Sequence, residues 1–129
     1  MIMRLAAAAG LMSIWTSPAL ATEWFICSDG EKASFSVLVG SLGVGSATDF
    51  TVSVGDKIWS TKQGEGIPIV KSQAYENDSM LLADVAAEDL SSVVAELRVF
   101  KSAEADAIAT GGTLRVAGEG VWAVSCPNE

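Results

Sequence analysis

The chain has 129 residues, half of them hydrophobic, with eight basic residues against sixteen acidic ones, a formal net charge of −8 and no histidine. So acidic a chain offers no Lys/Arg patch to neutralise phosphates, which argues against nucleic acid as a partner. Without an imidazole, Ser-His-Asp and Cys-His nucleophilic pairs and the common zinc sites are excluded.

Arg4 supplies a short positive segment, Leu5 to Trp15 an apolar stretch and Ala19-Leu20-Ala21 a small-residue cleavage pattern. Residues 1–21 therefore read as a secretory signal cut after Ala21. The apolar stretch is too short to span a bilayer and no comparable run recurs, so no membrane span is expected. Thr22, not cysteine, follows the cut, so no lipid anchor is expected either. Residues 22–129 form a single domain of 108 residues with net charge −9, in a periplasmic or secreted compartment that permits disulfides.

Along the domain the apolar period is mostly two, that of half-buried strands. Phe25 and Cys27 share one face of a first strand, and Phe35, Val37 and Val39 one face of a second. Gly40 to Gly45 reads as a hairpin loop, because a phosphate-cradling glycine loop must lead into a helix and this one leads into a strand through Phe50, Val52 and Val54. Gly55-Asp56 turns the chain into a return arm over Lys57 to Thr61, and Gly64-Glu65-Gly66 resets it before Ile67, Ile69 and Lys71, with Pro68 marking an edge or a strand start. Asn77-Asp78 is a further turn, followed by a strand over Met80 to Val85. Leu90, Val93, Val94 and Leu97 fit a helical period while Val93, Ala95, Leu97 and Val99 fit a strand. A turn or short helix is expected over Ala86 to Ser91, then a strand from Val93 to Lys101, with Ala103 to Ala109 as a loop. Gly111-Gly112 separates this region from a strand over Thr113 to Ala117, Gly118 to Gly120 is the last turn, and Val121 to Cys126 the last strand.

Short strands between turn signals, without strand–helix alternation, imply an all-β fold: a small antiparallel barrel or sandwich. Cys27 and Cys126 stand near the two ends of the domain and on the inward faces of its first and last strands, so a disulfide closing those strands together is expected; two buried thiols are the alternative. Oxidised cysteines leave no thiolate nucleophile, and neither S-x-x-K nor G-x-S-x-G occurs. Paired carboxylates remain as a hydrolytic option, the nearest pairs being Glu88-Asp89 and Asp29 with Glu31. No catalytic, cofactor or metal residue is assigned. Trp24, Trp59, Tyr75 and Trp122 are the aromatic side chains able to anchor a partner, with Trp122 expected in the interior beside Val124 and Cys126.

The order Trp24-Phe25-Ile26-Cys27, then Asp29, then Phe35-x-Val37, closing on a strand that ends in Cys126, resembles the C-type lysozyme inhibitor family of bacterial envelopes. The resemblance covers the two ends and the general architecture. It implies a small, exported, disulfide-closed β-barrel that is not an enzyme and inserts a loop into the cleft of a host lysozyme, a basic protein. Ser72-Gln73-Ala74-Tyr75 stands where the family has S-G-x-x-Y, without the glycine, and Thr61-Lys62-Gln63-Gly64 where it has T-K-G, with one residue inserted. Trp59, Thr61, Lys62, Ser72 and Tyr75 are therefore the candidate partner contacts. Two other roles stand beside this one: a structural or assembly component of the periplasm, and a small-ligand binder.

Overall fold

A computed structural model describes residues 23–40 and 43–127; the leader, 1–21, lies outside the described residues. Nine strands follow the chain: β1 Glu23–Ser28, β2 Ala33–Val39, β3 Phe50–Val54, β4 Lys57–Ser60, β5 Ile67–Glu76, β6 Met80–Ala87, β7 Val93–Glu104, β8 Ala107–Val116 and β9 Gly120–Val124. Their order in the sheet is their order in the chain, and every junction is antiparallel except β4–β5. The sheet curls into a nearly closed barrel, with Ser28 bridging Ser125 and Cys27 bonded to Cys126 across a separation of 99 residues.

The parallel junction is what makes this barrel close through an antiparallel seam. A nine-stranded meander with only antiparallel junctions would bring β1 and β9 together pointing the same way. One parallel junction reverses that relation, and the Ser28↔Ser125 bridge is antiparallel. Parallel neighbours ordinarily need a crossover of a dozen or more residues. Here six suffice, because only Trp59↔Ile67 and Ser60↔Pro68 pair. The loop doubles back through Gly64 at φ 86° and Gly66 at φ 152°. A Cβ on Gly66 would stand 2.5 Å from the Ile58 carbonyl oxygen, so the return path admits only glycine at that point.

Period-two alternation fills the interior. Phe25 and Cys27, Phe35 and Val37, Phe50 and Val52, Leu81 and Val85, Leu97 and Val99, and Leu114 and Val116 all point inward and are buried. Phe35 and Phe50 meet edge to face with ring centroids 6.0 Å apart. Burying a side chain of this kind is worth about 1.5–3 kcal/mol, so this inward row carries the fold. Trp59 belongs to the same core, and Trp122 is half-buried and packs against it.

Two expectations from the sequence are corrected and one is resolved. Of the turn or short helix expected over 86–91 it is the turn that forms: β6 runs to Ala87, and a tight turn closed by the Ala87 N–H to the Ser92 carbonyl follows it, with Leu90 at φ 61°. Among the described residues the only helical turn is the 3-10 segment Val44–Ser46. The loop expected over Ala103 to Ala109 is the tip of the β7–β8 hairpin, paired down to Glu104↔Ala107 around Ala105 at φ 52°. Gly111 and Gly112 do not separate strands; they lie inside β8, paired with Phe100 and Val99. Gly112 is needed because a Cβ there would fall 1.7 Å from the Arg98 carbonyl oxygen.

Candidate functional site

With the barrel interior packed, binding surface lies outside. One cleft of about 260 Å³ gathers Trp24 of β1, Leu38 of β2, Asp49 and Thr51 around the start of β3, Ser60 at the end of β4, and Thr61, Lys62 and Glu65 of the β4–β5 loop. The strand register builds it: Trp24 pairs with Leu38 and Thr51 with Ser60. The loop is fastened at its root, where Thr61 N–H donates to the Phe50 carbonyl at 3.0 Å and Phe50 N–H donates to Thr61 Oγ1 at 2.9 Å. Ser60 Oγ accepts the Lys62 N–H at 3.0 Å, and the Lys62 ammonium lies 3.3 Å from the Glu65 carboxylate.

The five residues expected as contacts do not assemble into one patch. Trp59 is 7 % exposed and packs in the core, so it presents almost nothing to a partner. Thr61 is half-buried and spends its hydroxyl on Phe50; Lys62 projects into solvent beside it. Ser72 is exposed at the register shift in β5 between Lys71 and Gln73. Tyr75 is exposed on β5, its hydroxyl 3.4 Å from the Asn77 amide nitrogen. Pro68 stands beside Ser60, and Tyr75 follows seven residues later, on the order of 20 Å along the strand. Thr61 with Lys62, and Ser72 with Tyr75, are thus two places. Trp24 and Asp49 join the first of them. Trp24 was legible as an outward residue, since it alternates with Phe25; Asp49 carried no signal.

A second cleft of about 680 Å³ opens at the parallel junction between Ile58, Ile67 and Pro68, and a third of about 430 Å³ lies between Glu76, Asn77 and the outer part of the β7–β8 hairpin. Neither carboxylate pair raised for hydrolysis lines any of the three. Three backbone N–H groups, Ala33 foremost, hold the Asp29 carboxyl below its ordinary range, and Ser91 does the same to Asp89. A general acid needs the opposite shift, so these are turn-forming carboxylates.

Charge is distributed in a definite way. Lys57 sits against Glu119, Lys62 against Glu65, Arg98 against Asp84, Lys101 against Glu76 and Arg115 against Glu96. Across the outer face of β5 to β7 the buried Asp84 accepts from Arg98 at 2.7 Å and from the Gln73 amide, and this bond holds the Arg98 guanidinium above its ordinary value. Glu31, Asp56, Glu88 and Asp89 stand exposed on turns at one end of the barrel; Asp78, Glu104 and Asp106 stand exposed at the other. Among the described residues no group of His, Cys, Asp and Glu is placed to hold a metal ion, and no helix is long and apolar enough to cross a membrane. No family model, curated relative or solved structure matches this chain.

Proposed function

We propose that this protein is an exported, non-enzymatic binding module of the bacterial envelope whose partner is a basic protein, with a lysozyme as the named candidate. The observation that carries the reading is the placement of charge. Lys57, Lys62, Arg98, Lys101 and Arg115 are each paired with a carboxylate and Lys71 donates to the Gly45 carbonyl, so that on the turns at the two ends exposed acids outnumber the one exposed Lys32 among them. Such a surface steers a cationic protein toward either end and repels an anionic one. The filled interior, with Phe35, Phe50, Leu81, Leu97 and Leu114 fully buried, favours recognition on the outside over a ligand held in the lumen. The absence of histidine and the lowered carboxyls of Asp29 and Asp89 favour binding over catalysis.

The test is a lysozyme lysis assay with purified mature protein at low and physiological salt. Lysis slows, more at low salt; unchanged lysis at micromolar protein in both buffers removes lysozyme as the partner. Lys62→Ala and Tyr75→Ala each weaken inhibition if the two motif-like segments make the contact. Full inhibition by both variants rejects that mapping and leaves the fold's other surfaces.

A further inference from the structure

In the cleft between β1 and the β4–β5 loop an aromatic face meets a carboxylate that has no partner of its own. Phe25, Val37 and Phe50 are buried, so their neighbours Trp24, Leu38 and Asp49 stand on the outer face of the barrel. The pairing sets these three in one row: Trp24 lies opposite Leu38, and the Leu38 N–H donates to the Asp49 carbonyl at 3.0 Å. Two strand spacings, about 9–10 Å, separate Trp24 from Asp49, with the half-buried Leu38 as the floor between them. The ladder runs on into the loop, where the Thr61 N–H donates to the Phe50 carbonyl, so Lys62 comes next to Asp49. Lys62 is already engaged, 3.3 Å from the Glu65 carboxylate. Trp24 is 45 % exposed, and Asp49 is exposed. Among the described residues no hydrogen bond or ion pair engages the Asp49 carboxylate, the Thr51 hydroxyl or the Trp24 indole N–H.

We propose that this cleft receives one arginine side chain of the partner protein, its guanidinium on the face of the Trp24 indole and its N–H fork toward the Asp49 carboxylate. Arginine answers every surface of the cleft at once. Its aliphatic stem covers Leu38, its planar cation is drawn to the indole face, and its N–H groups give the carboxylate a charge-assisted partner. Lysine fits less well, because its compact ammonium is strongly hydrated and has neither a plane to stack nor a fork to pair. An anion is disfavoured by charge, since Asp49 and Glu65 line the cleft against Lys62 alone. At about 260 Å³ the cleft falls below the roughly 300–1,000 Å³ of sites that engulf a whole small ligand, which suits a single side chain. A second copy of this chain has no free arginine to insert: within 22–129 the two arginines are Arg98, held by Asp84, and Arg115, held by Glu96. The exposed acids at the ends of the barrel steer a basic partner from a distance, and the cleft adds a contact of defined geometry. The inference rests on the reading of the domain as a binder of a basic protein and names what that partner inserts; it does not require a lysozyme.

The probe is a capped six-residue peptide of alternating Arg and Gly, compared with the same peptide carrying Lys, equal in charge, and one carrying citrulline, equal in shape but neutral. Each is titrated into the whole mature protein and followed by NMR at the Trp24 indole N–H and the Asp49 and Thr51 amides. The arginine peptide shifts these signals and binds about threefold or more tightly than the lysine peptide and about tenfold or more tightly than the citrulline peptide. Trp24→Leu, which keeps an apolar side chain over the barrel, and Asp49→Asn each reduce the arginine peptide to the affinity of the lysine peptide. Lys62→Ala removes the competing cation and tightens the arginine peptide about twofold, about the worth of one exposed ion pair. Equal affinity of the arginine and lysine peptides overturns the proposal, because it means that the overall negative field alone attracts them. Equal affinity of the arginine and citrulline peptides does so too, since the cleft then reads a neutral group. Signals that move only on the acidic turns, weaker binding after Lys62→Ala, or no binding of the arginine peptide at about 10 mM also overturn it. The lysis assay decides the lysozyme reading separately: an arginine preference without inhibition removes lysozyme alone, and inhibition without that preference removes the arginine site alone.

Discussion

Where β4 meets β5 the sheet is held by Trp59↔Ile67 and Ser60↔Pro68 alone, and where β1 meets β9 it is held by Ser28↔Ser125 alone, yet only the second junction carries a covalent bond. The difference follows from chain length. The parallel junction joins residues separated by one short loop, so closing it costs little entropy. The terminal junction joins residues nearly a hundred apart. Loop-closure entropy rises with the logarithm of length, and for these two separations the gap is about 2 kcal/mol. A disulfide placed at the long closure removes that freedom from the unfolded chain, where it is greatest. The short closure is secured by geometry instead, through glycines that let the loop return.

The largest expected effect is therefore at the staple. Replacing both Cys27 and Cys126 by Ala lowers unfolding free energy by about 2–5 kcal/mol in denaturant titration, and the Ser28 and Ser125 amides exchange first. A loss under about 1 kcal/mol would mean that the bridge is not what holds the terminal junction. Gly66→Ala probes the other junction. Its Cβ meets the Ile58 carbonyl oxygen at 2.5 Å on a backbone at φ 152°, so a loss of about 1–3 kcal/mol is expected, with faster exchange near Ile67 and no change at Ser125. If Gly66→Ala costs more than losing the disulfide, the ranking of the two junctions is inverted.

The same contrast marks what the sequence revealed. Period-two runs such as Phe35, Val37 and Phe50, Val52 gave the strands, and the inward faces of Cys27 and Cys126 gave the closure, because a half-buried strand states its own orientation. The tip of the β7–β8 hairpin is not legible as strand, since Ala103 to Ala109 is exposed and so loses the alternation that burial imposes. Gly111 and Gly112 looked like a break, although at Gly112 the glycine answers a close backbone approach inside a strand. The 86–91 segment is ambiguous in sequence because Ala86 to Asp89 suits a helical start locally while β6 and β7 demand a reversal. The outer ladder of Gln73, Asp84 and Arg98 left no trace, since its partners come from three strands.

The smallest effect is expected at Asp29, and it sharpens the account of the terminal junction. Its Oδ1 accepts N–H bonds from Glu31, Lys32 and Ala33 at 3.0, 2.8 and 2.9 Å, which order the turn directly after Ser28. Those bonds favour the ionised form, chiefly through Ala33, so the folded-state pKa lies below the ordinary 3.8. A carboxyl depressed on folding contributes stability that is complete above its unfolded value and is lost as pH falls through its folded value. The stability difference between the parent and Asp29→Ala is thus constant from neutral pH down to about 5 and shrinks below about 4. Asp89, lowered by Ser91 on the β6–β7 turn, supplies the comparison. Both Ala variants flatten the acid limb, but only Asp29→Ala speeds amide exchange at Ser125, because only that turn adjoins the bridge. Equal exchange in the two variants would show that the disulfide alone aligns Ser28 with Ser125 and that the turn is a bystander.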